Sequence, residues 1–259
     1  MGMQWLTPLF LLAVLAGLAV DLWLSQRQAL AVARHRGAVP APFAGSVSAD
    51  EHGKAADYTI AKVRFGRIGT VVDAVVLLAF TVGGGIALID GLWRRTALSE
   101  PWLGVAVIAT IGLIAQLLSL PFSIWRTFRL EARFGFNRTT PALFIADLAK
   151  GLALSVALGV PVPSTHAALL LFVLVVPVFT FFVTPLASLW SRRHEFEADA
   201  FASHHASAGE LATALVKLHK DNASTLTPDP VYAAFYYSHP PPLTRITRLR
   251  AAAAAIPAA

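Results

Sequence analysis

Three residues in the C-terminal third have types and spacing that suit chemistry. In Ser191-Arg-Arg-His-Glu-Phe-Glu-Ala-Asp-Ala-Phe-Ala202, Glu195 and Asp199 lie four positions apart, so on a helix they share one face. Two like charges at that spacing repel. A plain surface helix gains only solubility from such a pair. A metal site gains more, because one carboxylate can be an oxygen ligand while the other orients a neighbouring histidine ligand. The solvated face and the half metal site are the two readings. Further on, in Tyr236-Tyr-Ser-His-Pro-Pro-Pro-Leu-Thr-Arg245, His239 precedes three prolines. They stiffen the segment into an extended turn, where an imidazole can donate to an anionic intermediate or simply sit exposed.

Other polar positions are less specific. Asp147 and Lys150, three apart in an otherwise apolar stretch, read as an intramembrane ion pair or a wet chamber wall; a transporter would use them as a relay. Gly83-Gly-Gly85 lacks the Gly-Lys-Ser/Thr of a phosphate loop, and reads as a place of close helix packing.

The elements that must position these residues follow from composition. Of 259 residues, 56% are hydrophobic and 14% charged, against about 25% charged in soluble domains. That excludes an ordinary soluble domain and a disordered chain. With no cysteine, disulfides, thiolate metal sites and thiol catalysis are excluded. A net charge of +6 belongs with residues flanking spans rather than with nucleic acid, since no basic cluster alternates with aromatics. The class expected is all-α: a polytopic membrane protein with about five transmembrane helices and a small helical module.

A bilayer core needs about 20 apolar residues. Stretches 5–24, 71–93, 102–125, 141–160 and 167–190 meet that need, and all six tryptophans fall at their ends, as an interfacial belt requires. The first reads as an uncleaved span, not a signal peptide, because no Lys or Arg precedes it and no small-x-small site follows it. Residues 25–70 carry seven Lys/Arg and 126–140 carry four, whereas the opposite side has only Arg94 and Arg95. This asymmetry puts the N-terminus outside and the C-terminus in the cytoplasm. Residues 1–190 then form the membrane region and 191–259 a cytoplasmic helical module. Its helices are expected over 191–205, continuing out of the fifth span, over 208–220, with Leu211, Leu215 and Leu218 at helical spacing, and over 243–255. Residues 37–57 read as a loop and 228–242 as irregular.

The stretch 191–202, with Ala214-Leu-Val-Lys-Leu218, Asp221-Asn222, Asp229-Pro230-Val-Tyr232 and Tyr237-Ser-His-Pro-Pro, resembles the C-terminal region of the type I CAAX prenyl protease family. Arg64-Phe-Gly66, Arg133-Phe-Gly-Phe-Asn-Arg-Thr-Thr140 and Phe144-Ile-Ala-Asp-Leu-Ala-Lys150 resemble its N-terminal spans. The resemblance covers most of residues 55–250. It implies an integral-membrane zinc metalloendopeptidase acting on a peptide or protein substrate from within the lipid, with no nucleic-acid partner. It implies Glu195 as the third zinc ligand, Asp199 as support for a zinc-binding histidine, His239 as stabiliser of the tetrahedral intermediate, and Arg245 as an arginine following that histidine.

The family's centre is His-Glu-x-x-His, two histidines one helical turn apart with a glutamate that activates water. None of the eight histidines here (35, 52, 166, 194, 204, 205, 219, 239) begins that motif. His194-Glu195 meets Ala198 where the second histidine belongs, and adjacent His204 and His205 point about 100° apart. The break falls at Val160–Ser164, where one span, the zinc-bearing segment and the next span of the family pattern are absent. Losing two spans preserves the topology of the rest. The expectation is a chain incomplete as a peptidase, with His194, His204 and His205 the remaining candidates for weak metal binding, or else a non-catalytic membrane scaffold or peptide-binding remnant.

Overall fold

The computed structural model describes residues 5–158, 166–222 and 224–255, all helix and connecting loop, with no strand among them. The expected break at Val160–Ser164 lies outside the described residues. In order, the elements are α1 (Leu6–Arg34), a 3-10 turn (Ala41–Phe43), α2 (Ala49–Phe80), α3 (Gly85–Trp93), α4 (Trp102–Trp125), a π turn (Arg126–Glu131), α5 (Ala132–Phe134), α6 (Pro141–Leu158), α7 (His166–Thr180), α8 (Thr184–His205), α9 (Ala208–Asp221), α10 (Pro230–Tyr236) and α11 (Pro242–Ala255). The all-α class is as expected. Among the described residues, α1 and the run Trp102–Phe134 are each long and apolar enough to cross a membrane, and two broken pairs, α2 with α3 and α7 with α8, raise the number to four. The expected fourth span corresponds to α6.

The second and fifth expected spans are therefore not continuous helices. α2 and α3 meet at 51°, and the three glycines serve the bend, not helix packing. Gly84 has φ +77°, and a Cβ on Gly83 would lie 2.7 Å from the Ala79 carbonyl oxygen, so only glycine fits both places. The fifth stretch breaks at residues 181–183, and α8 runs unbroken through Trp190. Residues 49–57 are helix, not loop. Ser48 and Glu51 explain this start. The Ser48 Oγ accepts the Glu51 N–H (3.2 Å) and Glu51 Oε2 accepts the Ser48 N–H (2.9 Å), a reciprocal capping box.

The chain divides into two compact units: residues 1–14 with 71–178, and residues 15–70 with 179–259. The boundary does not follow 190/191, since most of α1 and the first part of α2 group with the C-terminal helices. In the first unit, Ile86 and Ile89 of α3 pack on Leu103, Val107 and Ile111 of α4, and Trp93 Nε1 donates to Thr110 Oγ1 at 2.9 Å. Leu113, Leu117 and Leu118, further along α4, are exposed, as lipid-facing residues are. Lys150 Nζ lies 3.5 Å from Asp147 Oδ1, both exposed.

In the second unit, Phe43 and Val47 join Ala212, Leu215, Val216, Leu226, Ile246 and Leu249 in one core. Leu218, expected on that face, is exposed. Residues 228–242, expected irregular, contain α10. Asp229 caps it by accepting from the Val231 and Tyr232 N–H groups, and Pro230 opens it with φ already helical. Replacing Ser48 by alanine removes the α2 cap, and unfolding of the purified chain should show a loss of about 1 kcal/mol.

Candidate functional site

The site lies within the second unit, along one face of α8. Ser188, Arg192, Glu195, Asp199 and Ser203 recur at intervals of four, three, four and four, the helical repeat that makes one stripe. Ser188, Asp199 and Ser203 are buried. The C-terminal segment lies along this stripe in the same direction. Ser188 Oγ donates to the Phe235 carbonyl (3.3 Å). Arg192 Nη1 donates to the carbonyls of Tyr237 (2.6 Å) and Ala233 (3.3 Å). His239 Nδ1 hydrogen-bonds Glu195 Oε1. Arg245, in the first turn of α11, grips Asp199 with Nε (2.8 Å) and Nη2 (2.7 Å).

Arg245 also places Nη1 2.8 Å from Glu195 Oε2. The angle leaves that buried oxygen with a charge partner but no aligned hydrogen bond. The side chains of Arg245, Asp199 and Glu195 are 17%, 11% and 23% exposed. Hydrogen bonding to Asp199 raises the Arg245 pKa further, against the opposing effect of burial. The two carboxylates thus face inward against His239 and Arg245, not into open solvent.

The segment bearing His239 is anchored from its other end as well. Arg27 of α1 forms a fork on Asp229, Nε to Oδ1 at 3.2 Å and Nη2 to Oδ2 at 3.0 Å. Gln28 Oε1 accepts the Asp229 N–H at 2.7 Å, and Tyr236 Oη donates to Asp21. Burial alone would raise the Asp229 carboxyl. The Tyr232 N–H, Arg27 and the Val231 N–H outweigh it and hold Asp229 below the usual carboxylate range. Burial also pushes the neighbouring Tyr237 hydroxyl up to about 12.

Sequence reasoning singled out Glu195, Asp199, His239 and Arg245, and the structure brings these four together. It missed Ser188, Arg192, Arg27, Gln28 and Asp229. The four–three–four rhythm of polar residues on α8 is a signal that could have found the first two. His194 points elsewhere, with Nδ1 3.3 Å from Glu197 Oε2, and His205 stacks on Phe201 with ring centroids 4.0 Å apart.

The zinc implied by the resemblance does not fit this donor set. Among the described residues no three His, Cys, Asp or Glu side chains group as metal ligands, whereas zinc sites take three or four protein ligands. The cation beside both carboxylates is the Arg245 guanidinium.

A family profile described as CAAX prenyl protease N-terminal, five membrane helices, matches residues 28–190. The chain belongs to the CAAX prenyl protease family. It is 31% identical to a CAAX prenyl protease 1 homolog of Oryza sativa over 134 residues, 48% of this chain and 31% of that one. To the human homolog it is 47% identical over 60 residues, 23% of this chain and 13% of that one. It therefore spans a third or less of these curated relatives. The crystal structure of S. mikatae Ste24p matches with TM-score 0.78 at 16% identity, covering 93% of this chain and 97% of that chain, a likeness in fold. The CAAX prenyl protease relationship makes this a membrane protein of metalloprotease kinship.

Two outcomes follow from this geometry. Arg245→Met leaves two largely buried carboxylates without a cation and should destabilise the unit by about 3 kcal/mol. Arg245→Lys should recover only part, because a point charge cannot fork onto Asp199 while reaching Glu195; chemical unfolding of both variants measures this. The Asp229 carboxyl, lowered in the folded state, adds stability that is complete above its unfolded value of about 3.9 and disappears as pH falls through the lower folded value. An acid titration of unfolding should show that loss in the wild type and a flatter acid limb in Asp229→Asn.

Proposed function

We propose that this chain is a membrane metalloendopeptidase of the CAAX prenyl protease type by descent that, on its own, does not hydrolyse peptides. In this reading Glu195 is the remaining zinc ligand of the lineage, Asp199 the residue that would have supported a ligating histidine, and His239 the oxyanion donor. The segment carrying His-Glu-x-x-His is missing near residues 160–164. The observation that carries the reading is the Arg245 fork: one guanidinium lies 2.7–2.8 Å from both carboxylates where zinc would need further imidazole ligands.

A peptide-binding remnant is the second reading. It is favoured by His239, whose side chain is 73% exposed while Nδ1 is held by Glu195. The imidazole's other nitrogen is then left to meet a peptide carbonyl. Peptide or protein substrates and membrane lipid are the partners of either reading. The orientation that goes with both has the N-terminus outside and the C-terminal helices cytoplasmic, supported by the basic residues of 25–70 and 126–140.

Purified chain exposed to zinc and then dialysed should retain far less than one zinc per chain and leave a farnesylated CAAX peptide uncut. One tightly held zinc with turnover would overturn incompleteness. Saturable binding of the same peptide, weakened by His239→Ala, would select the peptide-binding remnant. Because the chain has no cysteine, single-cysteine variants report orientation. On intact cells an impermeant maleimide should label Ser99→Cys and spare Lys217→Cys, and the reverse pattern would invert the topology.

A further inference from the structure

The outer surface of the α1–α2 hairpin combines features that neither helix shows alone. Arg67 Nη1 donates to Gln26 Oε1 at 2.5 Å. Arg36 forks onto Asp57 at 2.7 Å for both bonds. These two ties, one between the helices and one from the turn that leaves α1, are ten residues apart along each segment and run oppositely, so the helices are antiparallel. They also bring Gln26, two residues beyond the expected end of the first apolar stretch, level with Arg67, four residues before the start of the second. The ends of two apolar stretches, each about the length of a bilayer core, thus lie side by side.

The charge there is one-sided. Asp57 is taken by Arg36 and the next acid on α2 is Asp73, while Lys62, Arg64 and Arg67 fall between them. On α1 no acid occurs between Asp21 and the helix end. Arg27 is matched by Asp229. Among the described residues neither Arg64 nor Arg67 has a carboxylate partner, and three positions apart they share a helix face. Toward the apolar stretches from the Gln26–Arg67 tie, Trp23 and Ile68 are 53% and 56% exposed, and the Arg27 guanidinium lies 5.2 Å from the centre of the Trp23 rings.

Guanidiniums without carboxylate partners just outside the apolar stretches, an interfacial tryptophan and an exposed aliphatic side chain toward the apolar side are what a lipid with a negative headgroup requires. A soluble partner would not need the aliphatic side chain. A zwitterionic lipid would not reward two extra positive charges. We propose that the α1–α2 hairpin binds an anionic phospholipid, with Arg64 and Arg67 on the headgroup phosphate and Trp23 and Ile68 along the upper acyl chain. The occupant belongs to the bilayer that surrounds every member of this fold, so no partner need be recruited to it.

The test uses the full chain in nanodiscs of phosphatidylcholine, doped with acyl-brominated phosphatidylglycerol or acyl-brominated phosphatidylcholine. Bromine quenches tryptophan at contact, and comparison with Trp23→Phe isolates the Trp23 signal. Phosphatidylglycerol should quench Trp23 at lower mole fraction than phosphatidylcholine. Arg64→Gln/Arg67→Gln should reduce that preference by up to roughly 25-fold, about fivefold for each charge removed. Arg64→Lys/Arg67→Lys should keep most of it and guards against a folding defect in the glutamine variant. Equal quenching by the two lipids, or an unchanged preference in the glutamine variant, would overturn the proposal. Competition by soluble inorganic phosphate at moderate concentration would also overturn it, by showing a site for the free anion.

Discussion

Two carboxylates one turn apart on a buried helix face cannot stand without a cation. In this protein Arg245 supplies it, bridging Asp199 and Glu195 from the first turn of α11. Everything around the site depends on that bridge. It seats α11, whose Ile246 is fully buried against Phe43 and the α9 residues. It leaves one Glu195 oxygen for His239. Upstream of Arg245, Pro240 and Pro241 stiffen the chain ahead of α11, which opens at Pro242, so His239 is held beside the same stripe.

The second constraint is the length of chain that the fold must close. Arg27, Gln28 and Asp21 of α1 hold Asp229 and Tyr236, some 200 residues away. Most of the N-terminal helix is thus part of the C-terminal unit. A cut at the membrane boundary would separate Asp229 from its counter-charge and from the side-chain carbonyl that accepts its N–H. Arg192 completes the arrangement from the other side by donating to the Tyr237 and Ala233 carbonyls at the end of α10, where helix-end carbonyls need partners from outside the helix.

Much of this was legible in the sequence. Long apolar runs declared the helices, because backbone groups in lipid must pair within the segment. The Glu195–Asp199 spacing declared a shared face. What was not legible has physical reasons. The breaks at Gly84 and at residues 181–183 fall inside uniformly apolar runs, and hydropathy does not register a bend. The start of α2 was hidden because Ser48-x-x-Glu51 sits in a stretch whose composition suggests loop, yet two reciprocal hydrogen bonds outweigh composition. α10 was hidden by the prolines on both sides of it. The Arg27–Asp229 clamp is a contact between distant parts of the chain, and no local pattern encodes one. Leu218 follows the helical period of α9 and still faces out, since the core is filled by Leu215, Val216 and Ala212.

The Arg245 guanidinium closes the charge balance of the α8 stripe, and a bound metal would have to displace it. Thermal unfolding of the purified chain in chelator, in buffer and in excess zinc tests it most directly. A binding metal would raise the midpoint by mass action. One midpoint is expected in all three conditions, lowered only when Arg245 is neutralised. A midpoint that rises with zinc and falls with chelator in the wild type would contradict it.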